Sequence, residues 1–350
     1  MVENNSFMHD IQRIQSEQIG RKIAPATKQA EGDFKSEFEK KLAEFYDYND
    51  SISFSSGFLA NVGVIRMLVD PFPYFKLPFG NKDGVILSDE LNHASVVDAV
   101  RLAKADRFIY KHNDMDDLER LLSENMNKKK LIITDGIFSM DGEFANLKAI
   151  SELSKKYDAI VFVDDSHGTG VIGKNGKGTA DYLGVDDIDV IMGSFTKAWG
   201  SIGGYIVTRT KELSDYLRVT ARSYIFSDPI IPSVVAGLIK TAEIIEHGDD
   251  LRKKTLDNAS YLRGELKRMG YEVLGDIMPI VPPLMKGEKN SIKFSQKLLD
   301  VGILAPAVRR PAVQEGQERL RLTTMSTHSR EQIDYLLEHM DKIGKELKII

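Results

Sequence analysis

The chain has 350 residues, of which 42% are hydrophobic and 28% are charged, and its formal net charge is −5. These values are typical of a globular protein with one large and one smaller domain, and they exclude a disordered chain. The mildly acidic charge argues against a nucleic-acid partner or an anionic membrane surface. Because cysteine is absent, disulfides, thiolate metal sites and a cysteine nucleophile are excluded, and we expect no metal.

The beginning of the chain is polar. Residues 1–20 lack the apolar core of a signal peptide, and no apolar run is long enough to span a membrane. We therefore expect a cytoplasmic protein without a membrane span. The next segment, Gly32–Tyr46, predicts an amphipathic helix, because apolar residues recur there at helical spacing. These residues are Phe34, Phe38, Leu42 and Phe45.

A Ser/Gly turn, Ser55 to Phe58, precedes the apolar stretch LANVGVIRMLV, which predicts a helix. The amides at a helix N-terminus suit a phosphate, although an ordinary helix cap is the commoner explanation of such a turn taken alone. The following segment, Asp70–Asp83, contains three prolines and four aromatic residues, and we expect a loop that forms a lid or an interface patch.

From residue 84 to residue 207, short apolar runs alternate with amphipathic stretches. This alternation predicts an α/β fold with a mostly parallel sheet and helices on both sides. The predicted strands are Gly84–Ser88, Arg107–Tyr110, Leu131–Thr134, Ala159–Val163, Val190–Met192 and Tyr205–Val207. Helices are predicted after His112 and over Leu147–Tyr157, and then from Lys211 to Tyr224 and from Ile231 to Lys267.

Charged residues follow two of these predicted strands. Asp164 comes directly after one strand, with His167 close behind, and Lys197 follows the next strand. Open α/β sheets bind ligands at the carboxyl ends of their strands, so we expect these side chains to share one cleft. Pyridoxal 5′-phosphate needs such a set: a lysine for a Schiff base, an anion for the pyridine nitrogen, and hydroxyls or amides for the phosphate.

The motifs VDDSHGTGVIG, GSFTKAWGSIGGY and LNHAS resemble those of the α-oxoamine synthases, pyridoxal-phosphate enzymes of the aspartate-aminotransferase fold (fold type I). The resemblance covers about residues 30 to 345. It implies a homodimer with shared active sites, which condenses a small amino acid with an acyl-CoA or another acyl thioester, releases carbon dioxide and forms an α-amino ketone. The choice among glycine, alanine and serine stays open.

The resemblance also implies roles for individual residues around the cofactor ring. Lys197 would bind the cofactor covalently and act as the general base, and Asp164 would pair with the ring nitrogen. His93, in LNHAS, would stack on the ring, and His167 would donate a hydrogen bond to the ring oxygen or to the acyl carbonyl.

Other implied roles concern the phosphate and the substrate. The phosphate would be bound by the amides of Gly57 and Phe58, by the hydroxyls of Ser194 and Thr196, and by Ser227 of the neighbouring subunit. Asp228 departs from the amide or hydroxyl expected next to Ser227, because an anion beside a phosphate is unfavourable. Ser139 would contact the cofactor or the substrate carboxylate, and Arg321 would pair with that carboxylate.

The predicted domains are an N-terminal segment at 1–45, shorter than in the resembling family, a large pyridoxal-phosphate-binding domain at 46–230 and a small α+β domain at 231–350. In the small domain we predict four short strands and two further helices. The strands are Tyr271–Leu274, Ile280–Val281, Ile303–Leu304 and Leu320–Leu322, and the helices are Asn290–Asp300 and Ser329–Leu347.

Two alternatives come from particular segments. Gly168–Gly173 is formally a G-x-G-x-x-G motif after a strand, with Asp189 downstream, which would indicate a nicotinamide-dinucleotide-binding oxidoreductase. The lack of the family's usual N-terminal string before the turn at Gly57 favours instead a catalytically reduced partner subunit. The presence of Lys197, Asp164 and His93 favours an enzyme.

Overall fold

The computed structural model describes residues 33–69 and 84–350. Its contacts divide the chain into two compact units, with Phe138–Phe144 and Gly248–Ile350 forming the second unit and the other described residues the first. The predicted loop at Asp70–Asp83 lies outside the described residues. Among the described residues, no helix has the length and apolar character needed to cross a lipid bilayer.

The first unit alternates strands and helices. Its strands are β1 (Asp50–Phe54), β2 (Gly84–Asp89), β3 (Asp106–Tyr110), β4 (Lys129–Asp135), β5 (Ala159–Asp164), β6 (Val190–Ser194) and β7 (Gly204–Thr208). Its helices are α1 (Asp33–Tyr46), α2 (Gly57–Val69), α3 (Ala94–Leu102), α4 (Met115–Glu124), α5 (Leu147–Tyr157), α6 (Thr179–Leu183), α7 (Lys211–Thr220), α8 (Arg222–Ile225) and α9 (Pro232–His247).

The seven strands form one sheet in the order β1-β7-β6-β5-β4-β2-β3. Strands β3, β2, β4, β5 and β6 pair in parallel, whereas β7 runs antiparallel to both of its neighbours. The central strands are apolar on both faces because helices cover both, as in other parallel sheets. The predicted mostly parallel sheet is therefore confirmed. Of its seven strands in the described residues, β1 is the one that was not predicted from the sequence.

The strand register aligns several polar residues at one edge of the sheet. Asp135 at the end of β4 lies opposite Asp164, and Asp164 lies opposite Met192 of β6. Ser194 at the end of β6 lies opposite Gly204 of β7. The carboxyl ends of three neighbouring strands therefore present their polar residues together.

Helix α2 begins close to β7. A Cβ atom built on Gly204 would lie 2.5 Å from both the nitrogen and the Cα of Gly57, so only glycine allows this approach. Further along, Ala60, Val64 and Leu68 are buried in the core of the first unit. The contact at Gly204 thus fixes the helix N-terminus against the end of the sheet.

Helix α1 packs through the predicted apolar face. Phe38 and Leu42 are fully buried, and Phe38 contacts the rings of Phe195 and Trp199 at centroid distances of 5.5 and 6.4 Å. The ring of Phe195 stacks on Tyr205 at 4.8 Å. These buried rings support the segment that carries Lys197, and α1 belongs to the first unit rather than to a separate N-terminal segment.

The second unit is a small α+β assembly. It contains α10 (Asp249–Arg268), β8 (Ile280–Val281), α11 (Glu288–Asp300), β9 (Ala307–Val308), β10 (Arg319–Leu320), β11 (Leu322–Thr323) and α12 (Arg330–Glu346). Strand β10 pairs with β9, and β11 pairs with β8, both antiparallel. Phe294, Leu298 and Met340 are fully buried in its core.

Two strands predicted in this unit are wrong. Tyr271–Leu274 forms only an isolated bridge between Val273 and Pro283, and Ile303–Leu304 is not a strand. The predicted strand Leu320–Leu322 is divided at Arg321, because its two ends pair with different partners. Backbone pairing over two residues leaves too little periodicity to be recognised in a sequence.

The division between the units also differs from the prediction. The predicted small domain begins at residue 231 and so includes helix α9, but the contacts of α9 place it in the first unit. It packs against α1, which belongs to the same unit. The second unit therefore begins at Gly248, and the predicted helix from Ile231 to Lys267 is two helices, α9 and α10.

Candidate active site

Asp164 is the buried carboxylate at the end of β5. Its Oδ1 accepts hydrogen bonds from the hydroxyl of Ser166 at 2.6 Å and from the Ser166 amide at 3.1 Å. Its Oδ2 accepts one from Nδ2 of Asn61 at 2.8 Å. A carboxylate has about four acceptor positions. These three donors therefore leave one position on Oδ2 for a further donor.

Asn61 connects Asp164 with His93. The same Nδ2 donates to Oγ of Ser95 at 2.9 Å, and that hydroxyl lies 2.7 Å from Nδ1 of His93. His93 caps α3, where its Nδ1 also accepts a hydrogen bond from the Ser95 amide. The ring of His93 is exposed while its Nδ1 is held, so its face is available to a planar ligand.

Lys197 lies in a tight turn between β6 and β7. The amide of Gly200 donates to the carbonyl of Lys197 at 3.0 Å, and the amide of Ser201 donates to the carbonyl of Phe195 at 2.8 Å. Phe195 and Trp199, two residues before and after the lysine, are buried, whereas Lys197 itself is exposed. The turn is thus fixed on both sides and presents the lysine at the edge of the sheet.

The N-terminus of α2 lies next to the hydroxyls that flank this turn. A Cβ atom built on Gly57 would lie 3.3 Å from the Cβ of Ser194, and Oγ of Ser194 lies 2.8 Å from Oγ1 of Thr196. Ser56 caps the helix by accepting from the amide of Leu59 at 3.1 Å. The amides of Gly57 and Phe58 precede the first bonds within the helix, so they suit an anion.

Ser227 lies beside Ser55, in the turn that precedes α2 of the same chain. Its hydroxyl is 3.0 Å from that of Ser55, and both residues line a cavity of about 90 Å³. Lys35 and Asp228 also line this cavity, so a cation accompanies the unexpected anion. The role of Ser227 toward a neighbouring subunit stays a prediction.

His167 and the glycine-rich segment follow Asp164. His167 is half-buried in turns after β5, and a short 3₁₀ helix, Lys174–Gly176, comes next. A dinucleotide-binding motif requires an α-helix that begins within the glycines, so this segment does not form one. The glycines instead surround Asp165: a Cβ atom on Gly168 would lie 2.2 Å from its Oδ1.

Asp165 anchors this segment rather than facing a ligand. Its Oδ2 accepts from the amide of Thr179 at 2.7 Å, and its Oδ1 accepts from the Thr179 hydroxyl. Burial raises the pKa of Asp165 to about 7. Burial, together with the charge of Asp164, also raises the pKa of Asp135 well above its ordinary value.

Ser139 and Arg321 both belong to the second unit, where they are in contact. Nε of Arg321 donates to the carbonyl of Ser139 at 2.7 Å. Burial lowers the pKa of Arg321. Among the residues that the structure describes, no carboxylate lies within ion-pair distance of this guanidinium, so the guanidinium is able to bind the carboxylate of a substrate.

The fold and the arrangement of Asp164, Lys197 and the α2 N-terminus define a pyridoxal-phosphate-dependent transferase of fold type I. Residues 18–340 match the family model described as aminotransferase class I and II.

Curated relatives indicate a narrower group. The 8-amino-7-oxononanoate synthase of Petrotoga mobilis is 44% identical over 315 residues, which cover 89% of this chain and 77% of the relative. The 8-amino-7-oxononanoate synthase 2 of Bacillus subtilis is 43% identical over 313 residues, with the same coverage of 89% and 77%.

Solved structures agree with this grouping. A serine palmitoyltransferase from S. paucimobilis, with pyridoxal phosphate and myriocin bound, aligns with a TM-score of 0.85 and 28% identity, covering 94% of this chain and 85% of the other. The 8-amino-7-oxononanoate synthase from Francisella tularensis aligns with a TM-score of 0.77 and 26% identity, covering 93% of both chains.

The chain belongs to the α-oxoamine synthase family. It is a pyridoxal-phosphate-dependent acyltransferase that condenses a small amino acid with an acyl thioester, releasing carbon dioxide. The resemblance seen in the sequence motifs is therefore confirmed.

Several residues of this site were not found from the sequence. Asn61 lies within the apolar stretch LANVGVIRMLV, where a single amide in a buried helix was the available signal. Ser95 stood inside the recognised LNHAS motif, but its link to Asn61 depends on packing between α2 and α3. Ser166 follows Asp164 so closely that its bonds to the carboxylate could have been expected.

Proposed function

We propose that the chain joins alanine to a pimeloyl thioester and so forms 8-amino-7-oxononanoate. The observation that carries this proposal is the similarity to enzymes named for that product, at 44% and 43% identity across most of this chain. The product's structure identifies the substrates. Its CH(NH₂)–CH₃ end corresponds to alanine without the carboxyl group, and the remaining ketone and carboxylate correspond to a pimeloyl group.

The residues at the sheet edge fit pyridoxal phosphate. The open acceptor position on Oδ2 of Asp164 suits the protonated pyridine nitrogen, and the exposed ring of His93 suits stacking on the cofactor. The amides of Gly57 and Phe58 provide donors to the phosphate. The bound cofactor supplies an electron-withdrawing ring that stabilises negative charge at the α-carbon of the amino acid.

The hydroxyls of Ser194 and Thr196 would complete the phosphate site. They lie 2.8 Å apart, next to the first residue of α2, and can each donate to a different oxygen of an anion. His167 would hydrogen-bond the ring oxygen or the acyl carbonyl. Ser227, beside Ser55, is the remaining candidate phosphate donor, which we assign to a site shared between two copies of the chain.

The substrate would be oriented and deprotonated by the chain itself. Arg321 can form two parallel hydrogen bonds with the amino-acid carboxylate, and Ser139 lies beside it. The amine of Lys197 would remove the proton from the α-carbon, because its turn is fixed while the side chain is exposed. Loss of the carboxyl group as carbon dioxide then follows formation of the new carbon–carbon bond.

We also propose that the protein is a homodimer. Phe226 is 75% exposed and Ile231 is 58% exposed, and they flank Ser227 and Asp228 on one segment of the surface. Exposed apolar clusters of this kind mark interaction sites. Light scattering should give the mass of two chains for the unaltered protein and one chain for Phe226→Asp, whereas an unaltered monomer contradicts this proposal.

The activity can be tested by supplying alanine, glycine or serine with pimeloyl-CoA and with pimeloyl carried on an acyl-carrier protein. We expect carbon dioxide and the amino ketone only with alanine, and neither with Lys197→Ala. Condensation of glycine or serine, but not alanine, would contradict the substrate assignment. If the purified protein contains no cofactor and binds none when pyridoxal phosphate is added, a catalytically reduced partner subunit would be favoured.

A further inference from the structure

We infer that Asn61 is a positioning residue with two effects. It orients the carboxylate of Asp164, and it determines which ring nitrogen of His93 carries the hydrogen. The inference deepens the proposed function, because it rests on Asp164 and His93 as the residues that hold the cofactor ring. The observation behind it is one buried amide group that joins the two residues through Ser95.

The side chain of Asn61 is fully buried on α2, and both of its amide hydrogens are used. One donates to Oδ2 of Asp164 at 2.8 Å, and the other donates to Oγ of Ser95 at 2.9 Å. The opposite orientation of the amide would place its oxygen against the carboxylate of Asp164, which is unfavourable. The carboxylate therefore determines which way the amide points.

The amide is retained at a cost to stability. Its oxygen is buried and has no hydrogen-bond partner among the described residues, which is unfavourable for a polar atom. Its neighbours along the helix, Ala60, Val64 and Ile65, are apolar and buried, so a leucine of similar size suits this environment better. The two donated hydrogen bonds are thus the feature that distinguishes asparagine at this position.

Ser95 accepts from Asn61, and its hydroxyl lies 2.7 Å from Nδ1 of His93, to which it can donate its own hydrogen. The amide of Ser95 donates to the same Nδ1 at 3.3 Å. Two donors to Nδ1 require an unprotonated Nδ1, so neutral His93 carries its hydrogen on Nε2. Asn61 thereby favours hydrogen on Nε2 of the His93 ring and holds an oriented carboxylate for the ring nitrogen of the cofactor.

The experiment compares the holoenzyme with Asn61→Leu and Ser95→Ala. Nitrogen NMR of protein labelled only at its histidines, with His93→Gln to assign the signal, reports which ring nitrogen is protonated. In the unaltered protein we expect hydrogen on Nε2 of His93. In both variants we expect the form with hydrogen on Nδ1 to increase. Ser95→Ala removes the hydroxyl that donates to Nδ1, and Asn61→Leu removes the hydrogen bond that orients this hydroxyl.

Cofactor affinity, measured by titration of the visible absorbance, separates the two variants. Asn61→Leu removes a hydrogen bond to a buried carboxylate, so the dissociation constant should rise roughly tenfold to a hundredfold. Ser95→Ala leaves that bond in place, so its dissociation constant should change less than threefold. Asn258→Asp is the control, since Asn258 is a buried amide that donates to two carbonyls in the second unit.

Unchanged His93 signals in both variants, or a hydrogen on Nδ1 in the unaltered protein, would overturn the inference. Equal affinity losses in Asn61→Leu and Asn258→Asp would also overturn it, because they would indicate a general effect on stability. If Asn61→Leu does not fold, Ser95→Ala alone still decides the His93 assignment. The NMR result does not depend on turnover, so a failure of the proposed substrates is distinguishable from a failure here.

Discussion

Replacing Gly204 by alanine tests whether the N-terminus of α2 is held in place by β7. The added Cβ would lie 2.5 Å from the nitrogen and Cα of Gly57, whereas ordinary contacts begin at 3.4 Å. The two backbones must therefore separate by about 0.9 Å. Both sides of this contact are backbone, so no side chain can rotate away. We expect a loss of about 1–3 kcal/mol in the free energy of unfolding, as for other overpacked positions.

The same displacement moves the amides of Gly57 and Phe58, which we assign to the cofactor phosphate. A misplacement of about 1 Å in a positioned group can cost on the order of a hundredfold in activity. Cofactor titration by absorbance, together with urea unfolding, measures both effects. We expect Gly204→Ala to weaken cofactor binding at least tenfold, while the fold is retained.

Gly237→Ala provides the matched control, because Gly237 lies in the interior of α9 and no atom lies within 4 Å of an added Cβ. This substitution should raise the free energy of unfolding by about 0.5–1 kcal/mol and leave cofactor affinity unchanged. Wild-type cofactor affinity and stability in Gly204→Ala would refute the argument. A similar loss of affinity in Gly237→Ala would show that the assay does not isolate the α2 contact.

Three further substitutions test other parts of the structure. Burial raises the pKa of Asp165 from its ordinary value of 3.8 to about 7, so between these pH values the folded state binds an extra proton and the free energy of unfolding falls as pH rises. Urea unfolding across this pH range should show a smaller fall in the free energy of unfolding for Asp165→Asn, and an equal fall would refute the assignment. The lysine of Arg321→Lys cannot form two parallel hydrogen bonds to a carboxylate, so the KM for the amino acid should rise about tenfold in steady-state kinetics, with cofactor affinity unchanged. An unchanged KM would contradict the proposed binding of the substrate carboxylate by Arg321. Phe294 is fully buried in the second unit, so Phe294→Ala should lower the free energy of unfolding by about 3–5 kcal/mol, and a loss below about 1 kcal/mol would contradict its place in the core.

The strands of the first unit were predictable because they are buried on both faces. Leu131–Thr134 and Ala159–Val163, for example, are mainly apolar runs that are each followed by an aspartate, and both lie within observed strands. Strand β1, DSISF, was missed because alternating serines give it little apolar character. Its place in the sheet depends on antiparallel pairing with β7, far away in the sequence.

The candidate site was predictable where its residues lie in short local motifs. Asp164 is the last residue of a strand, and Lys197 and His93 each follow a strand; the sheet register brings the corresponding strand ends to one edge. Asn61 was not predictable in this way, because its function depends on contacts with Ser95 and Asp164 that are distant in sequence. Packing between α2, α3 and β5 creates that connection, and no local pattern records it.

Ser139 lies on a short segment that interrupts the first unit along the chain. The segment Phe138–Phe144 leaves the end of β4 and returns before α5, yet its contacts place it in the second unit.

Within that unit, this segment is tied at several points. Arg321 binds the carbonyl of Ser139, Arg319 pairs with Asp141, and Asp276 accepts from the amide of Phe144 at 2.9 Å. Ser139 and Arg321, the two candidate ligands of the amino-acid carboxylate, are therefore held at a fixed spacing by the second unit alone.

The residues on either side of this segment are held by backbone hydrogen bonds within the first unit. The amide of Ala145 donates to the carbonyl of Gly136 at 3.1 Å, and the amide of Gly136 donates to the carbonyl of Asp164 at 2.8 Å. The backbone on either side of Phe138–Phe144 is thus fixed within the first unit, whereas the segment itself is fixed within the second.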